Sequence, residues 1–160
     1  MIENVIRKLN ANLSFWCKKN KPINNSKDVL IRKYIQNNLS TNEIIKDIKS
    51  PYVMNRMLQG DTGSGKTVVA AITMFAVLNA GFQVAMMVPT EILSKQHYKT
   101  FQTFFKNTKY EVVYLSGKLQ TAERREVLEK IRTNSNIIII GTHALFSDDV
   151  IYSNLGYVIT

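Results

Sequence analysis

The sequence predicts an α/β protein in which a parallel sheet with flanking helices carries a glycine-rich loop. Three observations lead there. Short β-rich runs alternate with longer helical ones from Met54 onward, Ile137–Ile140 is an unbroken β-branched run, and Gly60-Asp61-Thr62-Gly63-Ser64-Gly65-Lys66-Thr67 joins a strand-like run to an apolar helix. Strand and helix in alternation indicate βαβ units, whose crossovers make neighbouring strands parallel. Four consecutive β-branched residues suit a strand covered on both faces.

All seven glycines lie at or after Gly60, so the preceding chain lacks the residue most used for tight turns. Helix-like stretches at Met1–Leu13 and Lys27–Ile48 are broken by the Asn- and Pro-containing piece Asn20–Ser26. Their apolar residues form no single long face, so residues 1–50 are expected to be a helical or linker segment leading into a domain at 51–160. In that domain Arg56–Gln59, Gln83–Val88, Glu111–Leu115, Ile137–Ile140 and Tyr157–Ile159 are the expected strands. Lys66–Asn79, Glu91–Phe105 and Ala122–Thr133 are the expected helices. Val68–Leu78 is apolar nearly all round, which predicts a buried helix, and Gly81 suits the position just past its end. Thr121 is expected to cap the last helix, with Glu123 near the positive end of its dipole.

Composition narrows the class. The 160 residues suffice for one compact core, and 45% hydrophobic content excludes a disordered chain. A lone Cys17 excludes a disulfide framework or a Cys-rich metal site and suits a reducing interior. No run approaches the roughly 18 apolar residues of a membrane span. A soluble, cytoplasmic protein with no membrane partner is expected. Residues 1–56 hold 11 basic and 4 acidic side chains, against 10 and 8 in residues 57–160. This asymmetry fits a basic arm for nucleic acid and, equally, a compositional bias toward Lys, Asn and Ile.

The loop Gly60–Thr67 matches G-x-x-x-x-G-K-[ST]. A triphosphate presents crowded negative oxygens, which such a loop wraps with inward backbone N–H groups. Gly60, Gly63 and Gly65 permit the wrapping, with Asp61, Thr62 and Ser64 completing the loop. Lys66 supplies a compact positive charge at the N-terminus of a helix, and Thr67 a hydroxyl for Mg²⁺. The carboxylate that normally completes a metal site has no clear candidate. Asp148 and Asp149 precede the last strand and are expected in a solvated loop, and the sequence is expected to stop just ahead of the acidic motif.

Met54–Ala71 around that loop resembles the first motor motif of RecG, the bacterial ATP-dependent DNA helicase family that remodels branched DNA. Pro89-Thr90-Glu91-Ile92-Leu93-Ser94-Lys95-Gln96-His97-Tyr98 is similar to its second block, and Gly141-Thr142-His143-Ala144-Leu145 to its third. Asn154-Leu155-Gly156 resembles the approach to its acidic box. The resemblance spans about residues 43–160 and implies a partial first RecA-like motor domain of superfamily 2, of the P-loop NTPase class, using ATP and Mg²⁺. It implies Lys66 and Thr67 as catalytic residues, Thr67 also as metal ligand, and DNA-backbone contacts from Thr90, Gly117, Gly141 and Thr142. Branched or forked DNA is the implied partner, together with a second motor domain that this sequence does not contain.

Two departures stand out. The family's adenine-reading Gln lies in a segment that here is Tyr34–Thr41, where Gln36 lacks the usual surroundings, and position 62 is Thr rather than Val. Gln96, His97 and His143 remain open between packing and ligand contact, since no metal-site spacing joins the histidines. Other readings are a truncated, non-catalytic nucleotide- or DNA-binding remnant and a fragment of a translocase like the transcription-repair coupling factor. A P-loop kinase or GTPase would need a lid or base-specificity motif that is not seen.

Overall fold

The computed structural model describes residues 39–160. They fall into two compact units, one ending at Ala76 and the other running from Val77 to Thr160. The expected helix Met1–Leu13, the break at Asn20–Ser26, Gln36 and the first part of Lys27–Ile48 lie outside the described residues.

In the first unit residues 39–48 are helical (α1), with Thr41 and Ile44 buried. The chain turns where the Ser50 N–H donates to the Asp47 carbonyl (3.0 Å) and the Tyr52 N–H to Ser50 Oγ (3.0 Å). It then reaches Gly60 without regular structure, so the strand expected at Arg56–Gln59 is not formed. The physical reason is that β propensity mostly measures fit to a half-buried pleated surface, and Met57 is 88% exposed. Arg56 holds the segment instead: its guanidinium pairs with Asp47 (2.7 Å) and Glu43 (2.7 Å) on α1.

Helix α2 (Lys66–Asn79) follows the loop. Within it Lys66–Leu78 contains no fully exposed residue, which agrees with its apolar composition. It ends as the sequence predicts. The Gly81 N–H donates to the Leu78 carbonyl (3.0 Å) and the Phe82 N–H to that of Val77 (3.3 Å), the bond pair of a Schellman cap.

The second unit continues with β1 (Gln83–Met87), α3 (Glu91–Phe105), β2 (Glu111–Leu115), α4 (Thr121–Thr133), β3 (Ile137–Gly141), a short 3₁₀ turn (His143–Phe146) and β4 (Leu155–Ile159). The strands form one sheet in the order β2-β3-β1-β4, with every pair parallel. Ile138 pairs with Val84 on one side and Val112 on the other. Ile137–Ile140 are wholly buried, as expected of a central strand. One face of the sheet gathers Val113, Leu115, Ile137 and Ile139 with Ile131 of α4 and Leu145. On β2 Tyr114 points the other way, its ring tilted against that of Tyr98 of α3 (5.6 Å between centroids) and its hydroxyl meeting Ser94 Oγ (3.2 Å). Helices α3 and α4 therefore flank the sheet on opposite faces.

Four boundaries differ from expectation: β1 ends at Met87 rather than Val88, β3 runs on to Gly141 rather than Ile140, and the starts of β4 and α4 shift as well. Strand β4 begins at Leu155 rather than Tyr157. Thr121 is the first helical residue of α4, and the N-cap is Gln120, whose side chain makes no capping bond. The extended backbone there ends one residue earlier than the Thr signal suggested, so the hydroxyl lies inside the first turn.

Gln83 is a buried polar residue that hydropathy patterning does not reveal. Its Nε2 donates to the carbonyls of Ile131 (2.6 Å) and Asn134 (2.9 Å), and its Oε1 accepts from the Asn154 N–H (3.1 Å). One side chain thus ties the end of α4 to the start of β4. Gln83→Leu leaves these buried groups unmatched and is expected to lower stability by about 1–3 kcal/mol. Urea unfolding of the two proteins, at equal m-value, checks it.

Candidate functional site

The glycine-rich loop Gly60–Thr67 is local in origin. Gly63 (φ 75°) and Gly65 (φ 93°) adopt left-handed conformations that residues with a Cβ rarely accept. The turn closes through the Ser64 N–H to the Asp61 carbonyl (3.1 Å). The Gly65 carbonyl then starts α2, accepting from the N–H groups of Val68 (2.9 Å) and Val69 (3.1 Å). A Cβ on Gly60 would stand 2.8 Å from Ser64 Oγ, so the loop folds tightly over its own first residue.

Lys66 turns back into this loop. Its ammonium donates to the carbonyls of Gly60 (2.5 Å) and Asp61 (2.8 Å) and lies 3.5 Å from Ser64 Oγ. A positive charge therefore sits inside a ring of backbone at a helix N-terminus, where the dipole also favours anions. This donor set fits a polyphosphate. Thr67 occupies the second position of α2, half-buried. Exposed Asp61 and Thr62 form the outer lip.

A second candidate region lies in the other unit, where Thr90, Gly117 and Thr142 follow the C-terminal ends of β1, β2 and β3. Parallel strands bring these three ends to one edge, the side on which open α/β sheets bind ligands. Thr90 is the N-cap of α3, its Oγ1 accepting from the Leu93 N–H (3.4 Å). Gly117 is exposed beside buried Ser116. Gly117 and Thr142 line a cleft of about 540 Å³ together with Glu91, Arg124, His143 and Ser147.

Gly141 is different. It is buried, and a Cβ there would run into the Leu115 carbonyl oxygen, while its own carbonyl accepts from the Val88 N–H (2.8 Å). Its contribution is the close approach of β2 to β3, which delivers Thr142 to the edge. His97 is half-buried against Phe101 (6.3 Å between centroids), and burial lowers its pKa from the ordinary value of 6.5. His143 is exposed at the cleft, and Gln96 faces solvent.

Sequence reasoning missed the ion pairs around the cleft. Arg124 grips Asp149 with Nη2 bonds of 2.9 Å to both carboxylate oxygens, so Asp149 is paired rather than freely solvated. Lys118 meets Glu91 at 2.9 Å. Neither pairing has a signal in the sequence, since the partners lie 25 and 27 residues apart on different elements.

A nucleotide-type loop and a parallel sheet with a cleft at its C-terminal edge define a P-loop α/β protein. Residues 28–160 match the DEAD/DEAH box helicase family, and the chain belongs to that family. It is 54% identical over 120 residues to the ATP-dependent DNA helicase RecG of Streptococcus pneumoniae serotype 4, covering 75% of this chain and 18% of that protein. It is 50% identical over 121 residues to RecG of Staphylococcus aureus, covering 76% and 18%. Among solved structures, RecG bound to a three-way DNA junction superimposes with a TM-score of 0.73 at 36% identity, over 92% of this chain and 19% of that one. The resemblance to RecG and the expected sheet with flanking helices are both borne out. The chain spans about a fifth of the length of these relatives.

Gly141→Ala is expected to cost about 1–3 kcal/mol, because the added methyl meets backbone that cannot yield without parting β2 from β3. Thermal unfolding measures the loss. Gly117→Ala, where nothing lies within 4 Å of an added Cβ, serves as the matched control and should be nearly neutral.

Proposed function

We propose that the chain is the nucleotide-binding part of a RecG-like helicase motor, binding Mg-ATP on Gly60–Thr67 and DNA at the edge formed by Thr90, Gly117 and Thr142. Residues 51–160 correspond in this reading to the first motor domain and residues 1–50 to the segment leading into it. The observation that carries it is the Lys66 ammonium held within the Gly60–Gly65 loop at the start of α2. A second motor domain outside this sequence completes the machinery, and a cytoplasmic setting suits it. Among the described residues no helix is long and apolar enough to cross a membrane.

The bound Mg-nucleotide supplies the phosphoanhydride and the metal's Lewis acidity. The chain's own residues do the rest. Backbone N–H groups of the loop would hold the phosphate oxygens, and Lys66 would exchange the Gly60 and Asp61 carbonyls for them, neutralising charge where it accumulates. Thr67 offers its hydroxyl to the metal. At the sheet edge, the Thr90 and Thr142 hydroxyls suit a DNA backbone, which positions the strand without reading its sequence. That the relative RecG was solved on a three-way junction supports branched DNA as the partner of the complete protein.

Lys66→Ala is expected to weaken Mg-ATP binding by about 10–100-fold, the usual worth of a hydrogen bond to a charged group. Equilibrium titration with a fluorescent nucleotide reads this directly. Equal affinity of the two proteins would overturn the reading.

A further inference from the structure

The cleft at the sheet edge is bordered by two cations, and each is already bound to a carboxylate. Arg124 is 22% exposed and bidentate with Asp149. Lys118 is 81% exposed and meets Glu91 through a single 2.9 Å contact. Arg124 and Glu91 line the cleft and Lys118 follows its Gly117, so a phosphate that docks on either cation must take the place of a carboxylate. Phosphate binding at this edge therefore depends on a local exchange of partners.

We propose that Lys118 is a phosphate-binding residue of the cleft and that Glu91 is its built-in competitor, releasing the ammonium when a nucleic-acid phosphate arrives. The proposal rests on the reading of this edge as the DNA interface. Three features favour Lys118 over Arg124 for the exchange. A single contact to a solvent-exposed ammonium contributes little to stability, whereas a bidentate and half-buried guanidinium is held far more firmly. The Lys118 backbone is anchored, with its N–H near Ser116 Oγ (3.4 Å) and the Leu119 N–H on the Ser116 carbonyl (3.4 Å), so the long side chain swings from a fixed point beside Gly117. Glu91 is in the first turn of α3, so the carboxylate left behind keeps the favourable field of the helix N-terminus.

The test uses the 160-residue chain and a fluorescent single-stranded oligonucleotide, titrated across a salt series from about 50 to 200 mM. Lys118→Gln is expected to weaken binding and to flatten the plot of log affinity against log salt by about 0.7, the share of one phosphate contact on a single strand. Glu91→Gln is expected to tighten binding about 2–5-fold, matching the small worth of a pair whose cation is solvent-exposed. The double variant should behave as Lys118→Gln alone. An unchanged slope in Lys118→Gln overturns the proposal, and so does an equal gain from Glu91→Gln when Lys118 is absent, which would show a general charge effect. Thr142→Val separates the two layers. If it weakens binding while Lys118→Gln does not, only the exchange is wrong; if neither variant changes binding, or the wild type does not bind, the DNA reading of this edge falls with it.

Discussion

Strand β3 is paired along both edges and covered on both faces, and this confinement arranges the whole second unit. Its isoleucines have no exposed surface, and a residue so placed must have every backbone group matched by a neighbouring strand. Those neighbours are β2 and β1, whose ends come level with that of β3 because the registers run Leu115 and Met87 against Gly141. Gly141 closes the arrangement by letting the Leu115 carbonyl come closer than any side chain allows. The residues that follow each strand then emerge side by side: Thr90 after β1, Gly117 after β2 and Thr142 after β3. A surface that looks assembled for a ligand is thus a consequence of buried apolar packing.

The glycine-rich loop Gly60–Thr67 obeys a different constraint. Nothing about it requires a sheet partner to be legible, because its glycines, its lysine and the helix that follows are contiguous in the chain. Positive φ at Gly63 and Gly65 turns the backbone inward, and Lys66 then reaches across the turn it terminates. Arg56 fixes the approach by pairing with two carboxylates one turn apart on α1, and the hydrogen bond to Asp47 raises the guanidinium's pKa. The approach is therefore held by charge, where the sequence pattern had suggested a strand.

Locally determined features were the ones that could be read in advance. The helix at Glu91–Phe105 appears with the bounds its pattern predicts, Gly81 caps α2, and the isoleucine run is central. What could not be read depends on meetings between distant residues. Arg56–Gln59 has strand propensity, yet a strand exists only where a ladder forms. Gln83 looked like one polar position in a strand, and only the fold brings the ends of α4 and β4 to it. The same holds for Lys118 with Glu91 and Arg124 with Asp149, where opposite charges are common in sequence and their pairing is a matter of topology. Of the four residues for which the likeness to RecG implies a DNA contact, Thr90, Gly117 and Thr142 reach the surface and Gly141 is buried.

If the backbone of Gly60–Thr67 binds a polyphosphate, adding Mg²⁺ and ADP to the isotope-labelled chain should give saturable backbone amide shifts centred on Gly63, Ser64, Gly65, Lys66 and Thr67. Saturable shifts elsewhere in the chain, with these five amides unmoved, would refute polyphosphate binding at this loop.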